Sequence, residues 1–376
     1  MLTLSEDIEE FRRAVQARAA ADIAPLAAQI DREQRFSPRL WEITREMNLT
    51  GLPFAEAIGG QGGTYLAYVT AIEEVARAAA ISGLYPGTTV QVARVLEQLG
   101  TPEQRDRWLE PLVRGDAIGC WAFTEPSTGS DPKQIRTRVR EDGDGWLLSG
   151  QKAFITHAAT ANVALTFAQM PGGRIGAFLV DTSDPGWQPG EHVDLLCLGG
   201  AGTATVYIDD VRLGPEALVG APGEGFQVML AGEAEGKVRT AAICVGIAQR
   251  AVDEAAKYAR ERLHRGTPIG DKFPTVQALL GGMQAQVVAA RALVRAVAQE
   301  IDEGREVQQA AAAARLMAAR ASREVSSDAL QVCGAYGLTR DLPVERLYRE
   351  GKFFEVGQGV AEIQRIIIGK RVLAAR

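Results

Sequence analysis

Apolar and polar positions along the chain fall into three successive textures. In the first, Asp31 to Thr50 and Thr70 to Leu99 carry apolar residues at three- and four-residue steps, the period of helices buried on one face. Gly51-Leu52-Pro53 and Gly59 to Gly63 interrupt that pattern. At Gly100-Thr101-Pro102-Glu103-Gln104 one helix ends and another starts. Thr101 serves as N-cap, Pro102 takes the first helical position and Gln104 closes a capping box. In the second texture, Ile135 to Val139 alternates, Glu141 to Gly145 turns and Trp146 to Leu148 resumes extended chain. Val163 to Phe167, a turn at Pro171-Gly172-Gly173, Ala177 to Val180 and then Thr205 to Ile208 repeat the plan, which predicts a small antiparallel barrel or sandwich. In the third, helices return. Val276, Leu280, Met283, Val287, Ala290, Val294 and Val297 alternate steps of four and three, the seam of a helix in a bundle, although an ordinary buried helix face gives the same spacing. Ala310 to Ala319 offers a small-residue helix face. The expected fold class is α+β, mainly α: an N-terminal helical domain over 1–115, a middle antiparallel β-barrel over 116–220 and a C-terminal helical bundle over 221–376.

Composition narrows the function. An apolar share of 46% over 376 residues is enough for a large core. The net charge of −6 comes without a basic stripe, so nucleic acid is not an expected partner. Four scattered cysteines and three scattered histidines show neither disulfide nor metal spacing, so no metal is expected. The opening MLTLSEDIEEFRRAV has no apolar leader, and no apolar run is long enough to span a bilayer. A cytoplasmic protein that avoids the membrane is the expectation.

The densest chemistry lies in Trp121-Ala122-Phe123-Thr124-Glu125-Pro126-Ser127-Thr128-Gly129-Ser130-Asp131, followed by Gly150-Gln151-Lys152-Ala153-Phe154-Ile155-Thr156. A hydroxyl-rich turn with a glycine offers backbone N–H groups to a pyrophosphate or a polar ring edge. The aromatics at 121, 123 and 154 can wall a flat heterocycle, and a capped loop beside a buried strand accounts for the same residues. Gly220 to Gly225 lacks both the GxGxxG spacing and a βαβ setting, so it is not read as a nucleotide loop. His157 is read as a hydrogen-bonded loop residue.

These motifs resemble the acyl-CoA dehydrogenase family. The likeness extends through Gly100 to Gln104, Leu109 to Leu112, Tyr258 to Arg262, Pro268-Ile269, Val276-Gln277, Gln331 to Gly334 and Glu362 to Arg365, in the family's order. It implies an FAD-dependent oxidoreductase of fatty acid metabolism that desaturates an acyl thioester between its α and β carbons. Thr124 and Thr156 would then hydrogen-bond the flavin, with Trp121, Phe123 and Phe154 against its ring. Gly129, Ile155, Val360 and Glu362 would complete the cofactor site, and Ser130 would reach the FAD pyrophosphate or the substrate tail. Arg262 and the turn from Gln331 through Gly334 to Ala335 would reach the FAD of a neighbouring subunit in a homodimer or homotetramer, and His264 would also bind the cofactor. Lys237, which stands where the family usually has arginine, and Gly359 would contact substrate. Tyr85, Thr89, Val90 and residues 234–237 would shape its pocket. The implied partners are acyl-CoA or an acyl-carrier-protein thioester and an electron-transferring flavoprotein.

One position departs from the family. The usual base is a glutamate directly before a glycine, six residues before the glutamine of I-Q-R, and here that position is Gln358. An amide does not accept a proton at neutral pH. Three readings follow: a glutamine exchanged for glutamate to trap substrate, another acid in service, or a catalytically silent or divergent flavoprotein such as a thioester-binding protein, oxidase or oxygenase. Some members carry the base on a third-domain helix, at the position of Gly236 here. Its neighbour Glu235 is the alternative acid, turned by about 100° around that helix. Leu198 to Thr203 lacks the arginine and serine often found in that loop, which keeps the carrier-protein thioester beside free CoA.

Overall fold

The computed structural model describes residues 4–131 and 134–374. The outermost ends of the expected first and third domains therefore lie outside the described residues. The first helical layer contains α1 (Glu6–Arg18), α2 (Ala27–Glu33), α3 (Pro38–Glu46), α4 (Tyr65–Ala78), α5 (Ala80–Leu84) and α6 (Gly87–Leu99). The short α7 (Pro102–Gln104) runs through a π turn into α8 (Glu110–Arg114). Thr101 and Gln104 form the expected capping box, with Pro102 in the first turn. The continuous pattern from Thr70 to Leu99 is broken at Ala79, which is extended at φ −156°. Ser82 holds the break by donating to both Val75 O and Ala79 O at 2.7 Å.

The middle layer is one sheet of β1 (Gly119–Ala122), β2 (Arg138–Asp142), β3 (Gly145–Ile155), β4 (Val163–Gln169), β5 (Ile175–Asp181), β6 (Trp187–His192), β7 (Ala204–Leu213) and β8 (Leu218–Val219). Its order is β6-β7-β3-β2-β4-β5-β8, with β1 on β4. Most pairs are antiparallel as expected, but β4 runs parallel to both β1 and β2. The strand expected at Ile135 to Val139 begins at Arg138 instead, because the preceding backbone is taken by a side chain: Arg136 N and Thr137 N donate to Glu125.

The last layer contains α9 (Gly225–Ala231), α10 (Glu233–Glu261), a hairpin of β9 (Leu263–His264) and β10 (Thr267–Pro268), α11 (Ile269–Lys272), α12 (Pro274–Asp302), α13 (Gln308–Cys333), α14 (Val344–Val356) and α15 (Ala361–Ala374). The expected seam is real: Met283, Val287, Ala290, Val294 and Val297 are buried on α12, while Val276 and Leu280 pack partly buried at its start. Helix α10 is central, packed against α4, α12, α13 and α14. It reaches α4 through Gly246, where a Cβ would lie 2.5 Å from Glu73 O. Gly246→Ala is therefore expected to destabilise the fold by about 1–3 kcal/mol through overpacking. The check is a lower urea midpoint with an unchanged slope. Among the described residues, no helix is long and apolar enough to cross a membrane.

Candidate active site

A cavity of about 330 Å³ opens where the middle sheet meets α6, α10 and the loop before α15. One wall comes from the two segments singled out in the sequence. A buried ion pair joins them: Lys152 Nζ lies 2.9 Å from Glu125 Oε1, and both side chains are buried. Lys152 also donates to Phe167 O (2.7 Å) and Phe123 O (3.2 Å), while Ala153 N donates to Thr124 O (2.8 Å). Burial would raise the Glu125 carboxyl, but Lys152 and the N–H groups of Thr137 and Arg136 outweigh it and hold it below the ordinary range. Burial pushes Lys152 down to about 8 against the pull of Glu125, so the pair is charged at neutral pH.

Beyond Lys152 the register of β3 on β7 slips before Ile155. At that slip Phe154 takes a left-handed φ of 56° and its ring is 61% exposed on the cavity wall. A bulge re-aims a side chain in this way, at a local backbone cost of about 1–3 kcal/mol. Trp121 and Phe123 are steadied from behind by Phe167, at centroid distances of 5.1 and 5.4 Å. Thr124, Gly129, Ser130 and Thr156 line the same wall, and among the described residues neither the Thr124 nor the Thr156 hydroxyl has a hydrogen-bond partner. Ile155 points the other way, into the core of the sheet. His157 is fully buried with Nε2 3.2 Å from Tyr85 O, and burial pushes its pKa down to about 4. It is a neutral packing residue.

The facing wall is built by α10 and by Gln358, Gly359 and Val360. Arg315, buried on α13, donates to Phe354 O and Gly357 O and so clamps the turn that carries Gln358. Gln358 adopts φ 57°. The Thr240 hydroxyl donates to Gln358 Oε1 (2.7 Å) and to Gly236 O (2.8 Å), sharing one proton between two acceptors. Gly236, Lys237, Arg239 and Thr240 all line the cavity.

The acids are distributed unevenly. Glu235 does not line this cavity: its carboxylate meets Arg94 Nε at 3.0 Å beside a separate small hollow. Burial raises its pKa, with Arg94 opposing. Glu355 is held by Arg323 and Lys352, both at 2.8 Å. The one carboxylate that lines the cavity among the described residues is Glu233, 2.9 Å from Lys237 Nζ. Sequence reasoning passed over Glu233, although it stands one helical turn before Gly236 and thus on the same face. It also passed over Arg239, Thr240, Thr88 and Gln91. Tyr85 and Thr89, expected at the pocket, are turned inward: Tyr85 donates to Gly200 O and accepts from Ser37 N, and Thr89 accepts from Gly119 N. The loop from Leu198 to Thr203 packs on the first helical layer, where Gly199 N donates to Gln34.

Arg262, His264, Gln331, Gly334 and Glu362 lie outside the cavity. Arg262 lies 5.8 Å from the Tyr336 ring near the end of α13, and His264 is exposed in the β9–β10 hairpin. Gly334 ends α13 at φ 57°, and Glu362 pairs with Arg365 at 3.2 Å. All five belong to the last helical layer.

A helical layer, a middle sheet and a helical bundle meet around an aromatic- and hydroxyl-lined slot that suits a flat heterocyclic cofactor. Comparison identifies the family. The acyl-CoA dehydrogenase N-terminal, middle and C-terminal domain families match residues 5–116, 120–211 and 223–373. The chain is 34% identical to the short-chain specific acyl-CoA dehydrogenase, mitochondrial, of Mus musculus over 98% of this chain and 91% of that protein. It is 32% identical to the 3-(aryl)acrylate reductase of Clostridium sporogenes over 98% and 99%. Its fold superposes on butyryl-CoA dehydrogenase from Megasphaera elsdenii with a TM-score of 0.95 at 29% identity, covering 99% of this chain and 100% of that one. The chain belongs to the acyl-CoA dehydrogenase family, whose members are oxidoreductases with FAD as cofactor. The wall fits that group: an exposed Phe154 and a braced Trp121 for the ring face, two uncommitted hydroxyls for its polar edge.

Proposed function

We propose that the chain removes hydrogen across the α and β carbons of an acyl thioester, carried by CoA or by a carrier protein. The reading rests on one observation. The flavin-fitting wall of Trp121, Thr124, Phe154 and Thr156 faces Gln358, Gly359 and Glu233 across one cavity. Bound FAD supplies the acceptor for the β hydrogen. The chain's own residues do the rest. Glu233 is the carboxylate available to take the α proton, and Lys237 orients it through their 2.9 Å contact. The backbone N–H of Gln358 polarises the thioester carbonyl as negative charge develops there. The Gln358 side chain, tied to Thr240, positions substrate without exchanging protons. Ser130, on the same cavity wall, is the contact for the polar tail of the substrate. In this reading Arg262, His264, Gln331, Gly334 and Glu362 serve the FAD of a neighbouring copy, as a homodimer or homotetramer. An electron-transferring flavoprotein takes the electrons onward.

Anaerobic mixing of the FAD-loaded protein with acyl-CoA of increasing length is expected to bleach the flavin absorbance and to yield the α,β-unsaturated thioester. A second reading, a silent thioester-binding flavoprotein, has the amide at 358 in its favour. It requires acyl-CoA to perturb the flavin spectrum without bleaching it, and that result would displace the first reading.

A further inference from the structure

Arg239 has no role in the chemistry above, yet it lies on the wall common to the main cavity and the small hollow behind it. Its side chain is buried at 3% exposure, and neither Nε nor Nη1 has a hydrogen-bond partner among the described residues. The acids along this stretch of α10 are spoken for: Glu233 pairs with Lys237 and Glu235 with Arg94. A buried guanidinium cannot relieve its isolation by losing a proton. Its place is fixed by its neighbour Gly87, where a Cβ would stand 1.4 Å from Arg239 Nη1, so only glycine leaves room for the head group. The Tyr68 hydroxyl, on the rim of the same hollow, is likewise buried and without a partner among the described residues. The hollow itself is only about 10 Å³, so an acyl chain ends at Arg239 and does not pass it.

We infer that Arg239 is the recognition residue for an anion at the far end of the acyl group. The substrate is then a thioester of a short dicarboxylic acid, its free carboxylate received by Arg239 with the Tyr68 hydroxyl as second donor. Charge and geometry agree. A planar carboxylate satisfies guanidinium donors, and a methyl terminus leaves them desolvated and empty. This inference rests on the acyl-thioester reading of the cavity and adds the class of acyl group.

The test is equilibrium binding to the FAD-loaded protein, followed by perturbation of the flavin spectrum. Three ligands of matched length are compared: glutaryl-CoA, its ω-amide, isosteric but uncharged, and hexanoyl-CoA. Glutaryl-CoA is expected to bind about 10- to 100-fold more tightly than the other two, the range for a charge-assisted hydrogen-bonded contact. Arg239→Gln is expected to erase that preference while neutral acyl-CoA still binds, and Arg239→Lys to keep part of it. The ω-amide comparison needs no variant, so a poorly folded Arg239→Gln protein leaves the test intact. Equal or tighter binding of the neutral ligands by the unaltered protein overturns the assignment to Arg239 alone. Binding of none of the three overturns it together with the thioester reading.

Discussion

Replacing Glu233 by glutamine is expected to slow anaerobic flavin bleaching by acyl-CoA about 10²- to 10⁴-fold, the usual loss on removing a general base. The shape of the cavity is nearly unchanged by this exchange, so acyl-CoA affinity should hold while the rate falls, the signature of an interaction made in the transition state. The second half of the experiment uses Gln358. In the Glu233→Gln background, Gln358→Glu is expected to recover most of the rate. The new carboxylate would stand on the turn clamped by Arg315, opposite the flavin-fitting wall, with the Thr240 hydroxyl as hydrogen-bond donor. If Glu233→Gln bleaches as fast as the unaltered protein, Glu233 is not the base. If the unaltered protein does not bleach and Gln358→Glu alone begins to, the chain is a thioester binder that lost its base at 358.

The second large effect concerns stability. Lys152→Met is expected to cost about 3–5 kcal/mol, because it leaves Glu125 buried without its cation. Lys152 is fully buried and ties together Phe123, Glu125 and Phe167, so the damage should reach the site as well: Phe123 lines the cavity, and Thr124 stands between two residues that Lys152 holds. Urea unfolding reads the loss, and FAD content of the purified protein reads its spread. The pH dependence has a definite sign. Glu125 is held below its ordinary value of 4.5, so it binds its proton more weakly in the fold than in the unfolded chain. Its contribution is therefore complete above about 4.5 and is lost as pH falls through the lower, folded value. Lys152→Met should flatten that acid limb. An acid limb unchanged by the substitution would mean that the pair contributes nothing through its charge.

Some of this protein was written in local pattern. The capping box at Thr101 to Gln104, the helical seam from Met283 to Val297 and the alternation of the sheet strands need only near neighbours and a preference for burying one face. That Trp121, Phe123, Thr124, Gly129, Ser130, Phe154 and Thr156 would share one wall was legible for the same reason, since hydroxyls, a glycine and aromatics stand together within two short segments. The rest depends on which buried faces meet, and spacing does not encode that. Glu125 and Lys152 are 27 residues apart, and only the folded sheet makes them one ion pair. Phe154 reaches the cavity because β3 slips register against β7, a strand about fifty residues later. Ala79 breaks a helix that its periodicity would continue, because Ser82 captures the carbonyls on either side. Gln358 meets Thr240 across 118 residues, and that contact turns an amide at the usual base position into part of a wall. Glu233 and Arg239 acquired their meaning only when α10 was set against α6 and the loop before α15, where among the described residues Glu233 is the acid that faces the cavity and Arg239 keeps guanidinium nitrogens without a hydrogen-bond partner.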